Sequence, residues 1–147
     1  MKYFFYLILL VLYKNSLHSQ ELLFPYKLNS DQLGAIVVIK SEKGNIARGK
    51  KIFSNRKVNC LSCHQAPIPE EKFQGNFGPS LTGVGSRYSK DEIRLRVINS
   101  KIINPESIMP SYFVKIDNSR TPYKLLGKTI LTFKEVEDIV EYLYSLK

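Results

Sequence analysis

The sequence contains no tryptophan, and cysteine, histidine and methionine occur only twice each in 147 residues. Two cysteines cannot form a scaffold held together by several disulfides, and they cannot supply a four-thiolate metal site. Acidic residues are also few, with 13 Asp and Glu against 22 Lys and Arg, so the formal net charge is +9. That excess of positive charge favours an acidic partner, a membrane surface or nucleic acid without distinguishing among them.

The longest apolar run lies at the start of the chain. Residues 3–13 carry no charge, follow Met1-Lys2 and end at Lys14. A short positive start, an apolar stretch and a polar end are typical of a secretory signal peptide, with cleavage expected near Ser19. A membrane-spanning helix needs about 20 apolar residues, which this run does not reach, and an uncleaved anchor is the alternative. We therefore predict a signal peptide over 1–19 and an exported protein.

Removal of this segment changes the inventory of reactive side chains. The exported chain keeps one histidine, His64, and one methionine, Met109, together with Cys60 and Cys63. Its compartment is oxidising, and a free dithiol would not persist there. These four residues are therefore enough for one metal or cofactor site and not for two.

Helical patterns occur in three places. Spacing of apolar residues by three and four begins at Asn45 and ends near Ser54. Ser89 opens a capping box that predicts a helix ended by Pro105, and Thr132 opens another that predicts the terminal helix. Residues 20–44 have no helical period, and their apolar stretch 35–39 predicts either a short strand or a strap over the surface.

Between Cys60 and Pro122 the sequence is rich in loop-forming residues. Six of the seven prolines and four of the eight glycines lie there, which favours ordered loops over long helices. Three modest helices and so much loop predict a thin core of side chains. We expect something besides side chains to fill it.

Residues 60–64 read Cys-Leu-Ser-Cys-His. Two thiols at this spacing can form thioethers with the two vinyl groups of a haem, and the adjacent His64 is then held on the proximal side of the iron. A zinc site, a thioredoxin-like redox pair and a local disulfide are alternatives. Zinc needs a fourth ligand such as a carboxylate, the redox pair needs a βαβ context, and the disulfide leaves His64 unexplained. The motif therefore predicts one covalent haem c.

With His64 as the only exported histidine, ligation of iron by two histidines within the chain is excluded. Met109 lies in a loop between Pro105 and Pro110, where a thioether could be held rigidly against iron as the sixth ligand. An ordinary packing methionine is the alternative. We also predict that the carbonyl of Pro79 accepts the other N–H of His64. Arg87 is a candidate partner of a haem propionate, or otherwise a surface residue.

These residues lie within stretches that resemble the SoxX family, the monohaem cytochrome c subunits of SoxAX complexes. The resemblance spans residues 45–147 and is carried by four segments: CLSCHQAPIPEEKFQGNFGPSLTGVGSRYS, IRLRVIN, IINPESIMPSY and GKTILTFKEVEDIVEYL. It implies a mostly α, class I cytochrome c-like fold, in which few helices and long loops enclose one haem. It also implies that Cys60 and Cys63 are the thioether attachments and that His64 and Met109 are the axial ligands.

The same resemblance implies a function. It predicts a periplasmic heterodimer with a SoxA-like cytochrome that carries one or two haems. In this family the complex couples thiosulfate oxidatively to a carrier-protein cysteine, as an L-cysteine S-thiosulfotransferase. The catalytic site lies on the partner, so this chain is expected to have no catalytic residue of its own and to pass electrons to a downstream acceptor. Residues 20–44 fall outside the resemblance, which leaves them as an N-terminal extension to a domain over 45–147.

Two other functions remain open at this stage. One is a freestanding soluble cytochrome c that shuttles electrons, since a basic surface also suits an acidic docking site. The other is a sensor or peroxidase haem with an open sixth position, against which the presence of Met109 argues. Nucleic-acid binding is not expected, because the Lys and Arg residues are scattered and the chain is exported. Contact with a membrane is expected only through export.

Overall fold

The computed structural model describes residues 22–147, and the predicted signal peptide over 1–19 lies outside this range. Two short antiparallel strands, β1 (Tyr26–Leu28) and β2 (Ala35–Val37), form a hairpin in which Tyr26 pairs with Val37. Four α-helices follow: α1 (Ile46–Phe53), α2 (Val84–Arg87), α3 (Lys90–Asn99) and α4 (Phe133–Ser145). Single 3₁₀ turns occupy Cys60–Ser62, Ser100–Ile102 and Tyr123–Leu125. The mostly helical, loop-rich fold predicted from the sequence is confirmed.

The ends of the helices follow local sequence signals. Asn45 caps α1 by accepting a hydrogen bond from the backbone N–H of Arg48 at 2.9 Å. Ser89 and Thr132 form complete capping boxes at α3 and α4. These caps satisfy backbone donors that the first turn of a helix otherwise leaves unpaired.

The first and last helices pack closely against each other. Gly49 of α1 faces the backbone of Asp138 in α4, without a side chain between the two helices. The carboxylate of Asp138 accepts hydrogen bonds from the backbone N–H of Asn45 at 2.6 Å and from Arg48 Nε at 2.7 Å. The same residue therefore fixes both the distance and the orientation of the two helices.

The hairpin before α1 belongs to the same hydrophobic core as the helices. Tyr26 and Ala35 are buried, and the ring of Tyr26 meets that of Phe113 edge-on with centroids 5.1 Å apart. The guanidinium of Arg94 in α3 donates to the carbonyl oxygen of Ala35 at 2.7 Å. Of the two readings of residues 35–39, the strand is therefore the one observed, over Ala35–Val37.

The sequence did not predict α2. Gly83 precedes it in the left-handed conformation, with φ 67°, which suits glycine because it has no β-carbon. The backbone N–H of Gly85 donates to the carbonyl oxygen of Leu146 at 2.8 Å. Gly83 and Gly85 thus start a one-turn helix against the end of α4. Within residues 22–147, no helix combines the length and the apolar character needed to cross a membrane.

Candidate functional site: a cavity between the cysteine motif and the methionine loop

A cavity of about 660 Å³ lies between the Cys60–His64 segment, α3 and the loop that carries Met109. Its walls are largely apolar and include Phe53, Val97 and Leu143. The volume is within the range of about 300–1,000 Å³ typical of small-molecule and cofactor sites. The sequence predicted that side chains alone would not fill the core, and the structure has a large cavity there.

All six predicted site residues line this cavity. They are Cys60, Cys63, His64, Pro79, Arg87 and Met109. They come from three separate parts of the chain, and the fold brings them together.

The cysteine motif is shaped by the 3₁₀ turn at Cys60–Ser62. Asn59 precedes the turn in the left-handed conformation, with φ 61°, and the backbone N–H groups of Cys63 and His64 both donate to the carbonyl oxygen of Cys60. Both cysteines are half-buried free thiols. Burial raises the pKa of the Cys60 thiol to about 11, whereas a redox-active Cys-x-x-C pair depends on a lowered thiol pKa.

A second loop is hydrogen-bonded alongside the motif and holds the imidazole of His64. Backbone N–H groups of Gly75, Gly78 and Leu81 donate to the carbonyls of Leu61, Cys63 and Gln65 at 2.7–2.8 Å. This pairing places the carbonyl oxygen of Pro79 2.8 Å from His64 Nδ1. Because a carbonyl only accepts, Nδ1 carries the proton and Nε2 is left as the acceptor.

Gly78 lies directly against the same ring. A β-carbon on Gly78 would lie 2.5 Å from His64 Cε1 and 2.7 Å from Nδ1, closer than non-bonded atoms approach. The imidazole is therefore confined by the Gly78 backbone and hydrogen-bonded to the Pro79 carbonyl. This cradle is suited to a histidine that ligates a metal through Nε2.

Two serines position the Met109 loop, which lines the same cavity as His64. The hydroxyls of Ser100 and Ser107 are 2.9 Å apart, Ser100 Oγ donates to the carbonyl oxygen of Met109, and the N–H of Met109 donates to Ser107 Oγ. Met109 itself is half-buried and lines the cavity. Sequence reasoning missed both serines, although Ser100 follows Ile93 and Val97 at helical spacing.

The two arginines that line the cavity differ in how their guanidinium groups are used. Arg87 is exposed and donates both terminal nitrogens to backbone carbonyls, those of Thr82 and Ser80. Arg96 was not predicted as a site residue. It is half-buried, and its guanidinium carbon lies 4.1 Å from the centre of the Tyr88 ring.

The cavity residues fit a covalent haem c. Two thiols, an oriented imidazole and a thioether line one largely apolar space, which is the donor set that cytochromes c use. Within residues 22–147, no three His, Cys, Asp or Glu side chains converge as a metal-ion cluster.

Residues 46–147 match the family model described as Cytochrome c. The chain belongs to the cytochrome c family. The family implies a covalently attached haem c and a role in electron transfer.

A comparison with solved structures indicates which cytochromes c this chain resembles. The chain is similar to one from the crystal structure of SoxXA from P. pantotrophus, with a TM-score of 0.70 and 26% sequence identity. The match covers 78% of this chain and 90% of that chain. The SoxX-like character predicted from the sequence is therefore confirmed. Comparison with the curated proteins found no match.

Proposed function

We propose that Cys60 and Cys63 bind one haem c through thioethers and that His64 and Met109 are its axial ligands. The cavity they share and the orientation of His64 by the Pro79 carbonyl support this assignment. A haem held by these residues would supply one-electron transfer, and ligation by His64 and Met109 would raise its reduction potential. Arg87, at the cavity wall, is the sequence-based candidate for contact with a propionate.

The proposed organisation of the chain follows from its composition and from the extent of the family match. Residues 1–19 act as a signal peptide that directs the protein to the periplasm. Residues 20–44 form an extension, and residues 45–147 form the cytochrome c domain, whose start agrees with the family match from residue 46. The extension packs into the core of the domain through Tyr26 and Ala35.

The chain is proposed to act as the electron-transfer subunit of a SoxAX-type complex. The observation that carries this proposal is the similarity to a chain of SoxXA. Two large apolar side chains at the cavity lining, Phe77 and Ile108, are 74% and 68% exposed. Exposed apolar residues beside a redox site favour contact with a protein partner.

The proposed reaction takes place on the partner, which has one or two haems. Formation of a sulfur–sulfur bond between thiosulfate and a carrier-protein cysteine thiolate releases two electrons. This chain accepts electrons one at a time and passes them to a downstream acceptor. The partner contributes the catalytic site, so no residue of this chain acts on thiosulfate.

Isolation of the complex tests this function. The protein is purified from its native source, its mass in solution is measured, and any chain that co-purifies is identified by peptide sequencing and by a pyridine haemochrome spectrum. We expect a one-to-one complex with a second c-type cytochrome. A monomer that is reduced and reoxidised normally without a partner would instead support the freestanding electron shuttle.

A further inference from the structure

One face of α3 forms a wall of the cavity. Of the residues on this face that line the cavity, one is charged and the others are not. Ile93, Arg96, Val97 and Ser100 all line the cavity, and their spacing of three, four and seven residues places them on one side of the helix. Arg96 is the charged residue among them. A cation on a half-buried cavity wall is costly unless its charge and donors are matched.

The guanidinium of Arg96 is held in place but only partly hydrogen-bonded. It stacks on the ring of Tyr88, and Nη1 donates to the carbonyl oxygen of Glu92 at 3.0 Å. Within residues 22–147, Nε and Nη2 of Arg96 make no hydrogen bond. The stack and the single bond therefore fix the plane of the group and leave a donor edge unused.

The guanidinium of Arg87 is more fully engaged by the protein than that of Arg96. Both of its terminal nitrogens already donate to backbone carbonyls, so its guanidinium is engaged in holding the loop at Ser80–Thr82. No lysine lines the cavity within the described residues, and Glu106 is the carboxylate that does, with an exposed side chain. Among the cationic side chains that line the cavity, Arg96 is thus the one with an unused donor edge for an anionic group.

We propose that Arg96 binds a propionate of the haem and serves as the main positive charge next to the redox centre. This inference rests on the proposed haem binding. A guanidinium fork matches a carboxylate with two parallel N–H donors, and Arg96 lines the cavity with a fixed plane and with Nε and Nη2 unused. Its charge favours the reduced state, because reduction lowers the net charge of the centre by one unit.

The test compares three variants of the haem-loaded protein by spectroelectrochemical titration. Arg96→Gln is expected to lower the equilibrium constant for reduction about tenfold, equivalent to about 59 mV for one electron. Arg96→Lys keeps the charge and is expected to recover most of that change. Arg87→Gln is expected to change the constant by clearly less than Arg96→Gln.

Two results would overturn the proposal. One is an unchanged reduction potential in Arg96→Gln. The other is an equal loss in Arg96→Gln and Arg96→Lys, which would assign the effect to packing on Tyr88 rather than to charge. A pyridine haemochrome spectrum of the wild type is recorded first. Absence of a c-type spectrum rejects haem binding and this inference together, whereas a c-type spectrum with an unchanged Arg96→Gln potential rejects this inference alone.

Discussion

Gly49 packs so closely against Asp138 that a β-carbon on Gly49 would overlap the carbonyl oxygen of Asp138. Alanine is a better helix former than glycine by about 1 kcal/mol, so propensity alone predicts that Gly49→Ala stabilises α1. The overlap with backbone predicts the opposite, since main-chain atoms cannot move aside without separating the two helices. We expect Gly49→Ala to lower the free energy of unfolding by about 3 kcal/mol, as measured by urea denaturation.

Ala47, exposed on the same helix, provides the matched control. Ala47→Gly changes helix propensity without touching α4 and is expected to cost about 1 kcal/mol. If Gly49→Ala proved neutral or stabilising, the close crossing of α1 and α4 would not contribute to stability in the way described.

The contact between Gly78 and His64 predicts an effect on haem ligation. Gly78→Ala places a methyl group 2.5 Å from His64 Cε1, which forces the imidazole away from the Pro79 carbonyl. Loss of an orienting contact to a metal ligand costs about 10–100-fold in affinity. We expect Gly78→Ala to yield far less protein with a low-spin haem c spectrum than the wild type.

Gly127→Ala controls for the general effect of replacing a glycine. Gly127 has φ 71°, and apart from its own chain neighbours no residue comes within 4 Å of the position of its β-carbon. Alanine there introduces backbone strain of about 1–2 kcal/mol without touching the cavity. Equal yields and spectra from the two variants would show that the contact with the His64 ring has no role in ligation.

Met109 predicts a spectroscopic change that is separate from stability. In Met109→Ala the cavity loses its thioether while the Ser100–Ser107 hydroxyl pair remains. The ferric charge-transfer band of a sulfur–iron bond should disappear, and the reduction potential should fall because Met ligation raises it. Persistence of the band in Met109→Ala would exclude Met109 as the sixth ligand.

The carboxylate of Asp138 predicts a dependence of stability on acid pH. Burial alone raises the pKa of a carboxyl group, but the hydrogen bonds from Arg48 and from the backbone N–H of Asn45 outweigh burial and keep the pKa of Asp138 below its ordinary value. Such a group contributes stability above its unfolded pKa of about 3.9 and loses that contribution as the pH falls further. The free energy of unfolding should therefore decrease below about pH 4.

The variant Asp138→Asn isolates this contribution. At neutral pH we expect a loss of about 1–3 kcal/mol, with a weaker decline in acid than in the wild type. Asp117→Asn alters an exposed carboxylate and should stay within about 0.5 kcal/mol of the wild type. Urea denaturation between pH 3 and 7 measures the free energy of unfolding of the wild type and of both variants. If this free energy fell with pH as steeply in Asp138→Asn as in the wild type, Asp138 would not be the source of the acid dependence.

Phe77 and Ile108 predict a partner-binding surface at the cavity lining. Their joint replacement by serine removes exposed apolar area beside the site and should weaken the proposed heterodimer about tenfold or more. Phe73→Ser is the matched control, because Phe73 is 93% exposed but does not line the cavity. Isothermal titration with the purified partner measures the affinities, and equal effects of Phe73→Ser and the double variant would place the docking surface elsewhere.

Local sequence signals were sufficient for most of the helices. The capping boxes at Ser89 and Thr132 are encoded within four residues, so α3 and α4 could be placed without knowledge of the rest of the chain. The contact between His64 and Pro79 was also predicted, because a metal-ligating histidine usually donates its other N–H to a carbonyl or a carboxylate. All six predicted site residues were found around one cavity.

Features that depend on distant contacts could not be predicted from the sequence. The one-turn helix α2 forms against the end of α4, and nothing within its own four residues indicates this. The strand partner of residues 35–37 is likewise set by packing on Phe113 and Arg94. Arg96 was overlooked because an arginine in a helix usually faces solvent. Its helical spacing from Ile93 and Val97, which places it on the same side of the helix as these apolar residues, could have indicated that it faces the interior.

The second face of α3 has a consequence for the speed of electron exchange. Arg94, buried within α3, donates to Glu137 in α4 through two nitrogens, to Asp91 and to the carbonyl of Ala35. A network in which a buried arginine makes four hydrogen bonds is stiff, and it braces the helix whose other face forms the cavity wall. Atoms that barely shift when a charge arrives or leaves add little reorganisation energy to the transfer. If the chain carries the proposed haem, we therefore expect the hairpin, which lies outside the family match, to help keep that barrier low.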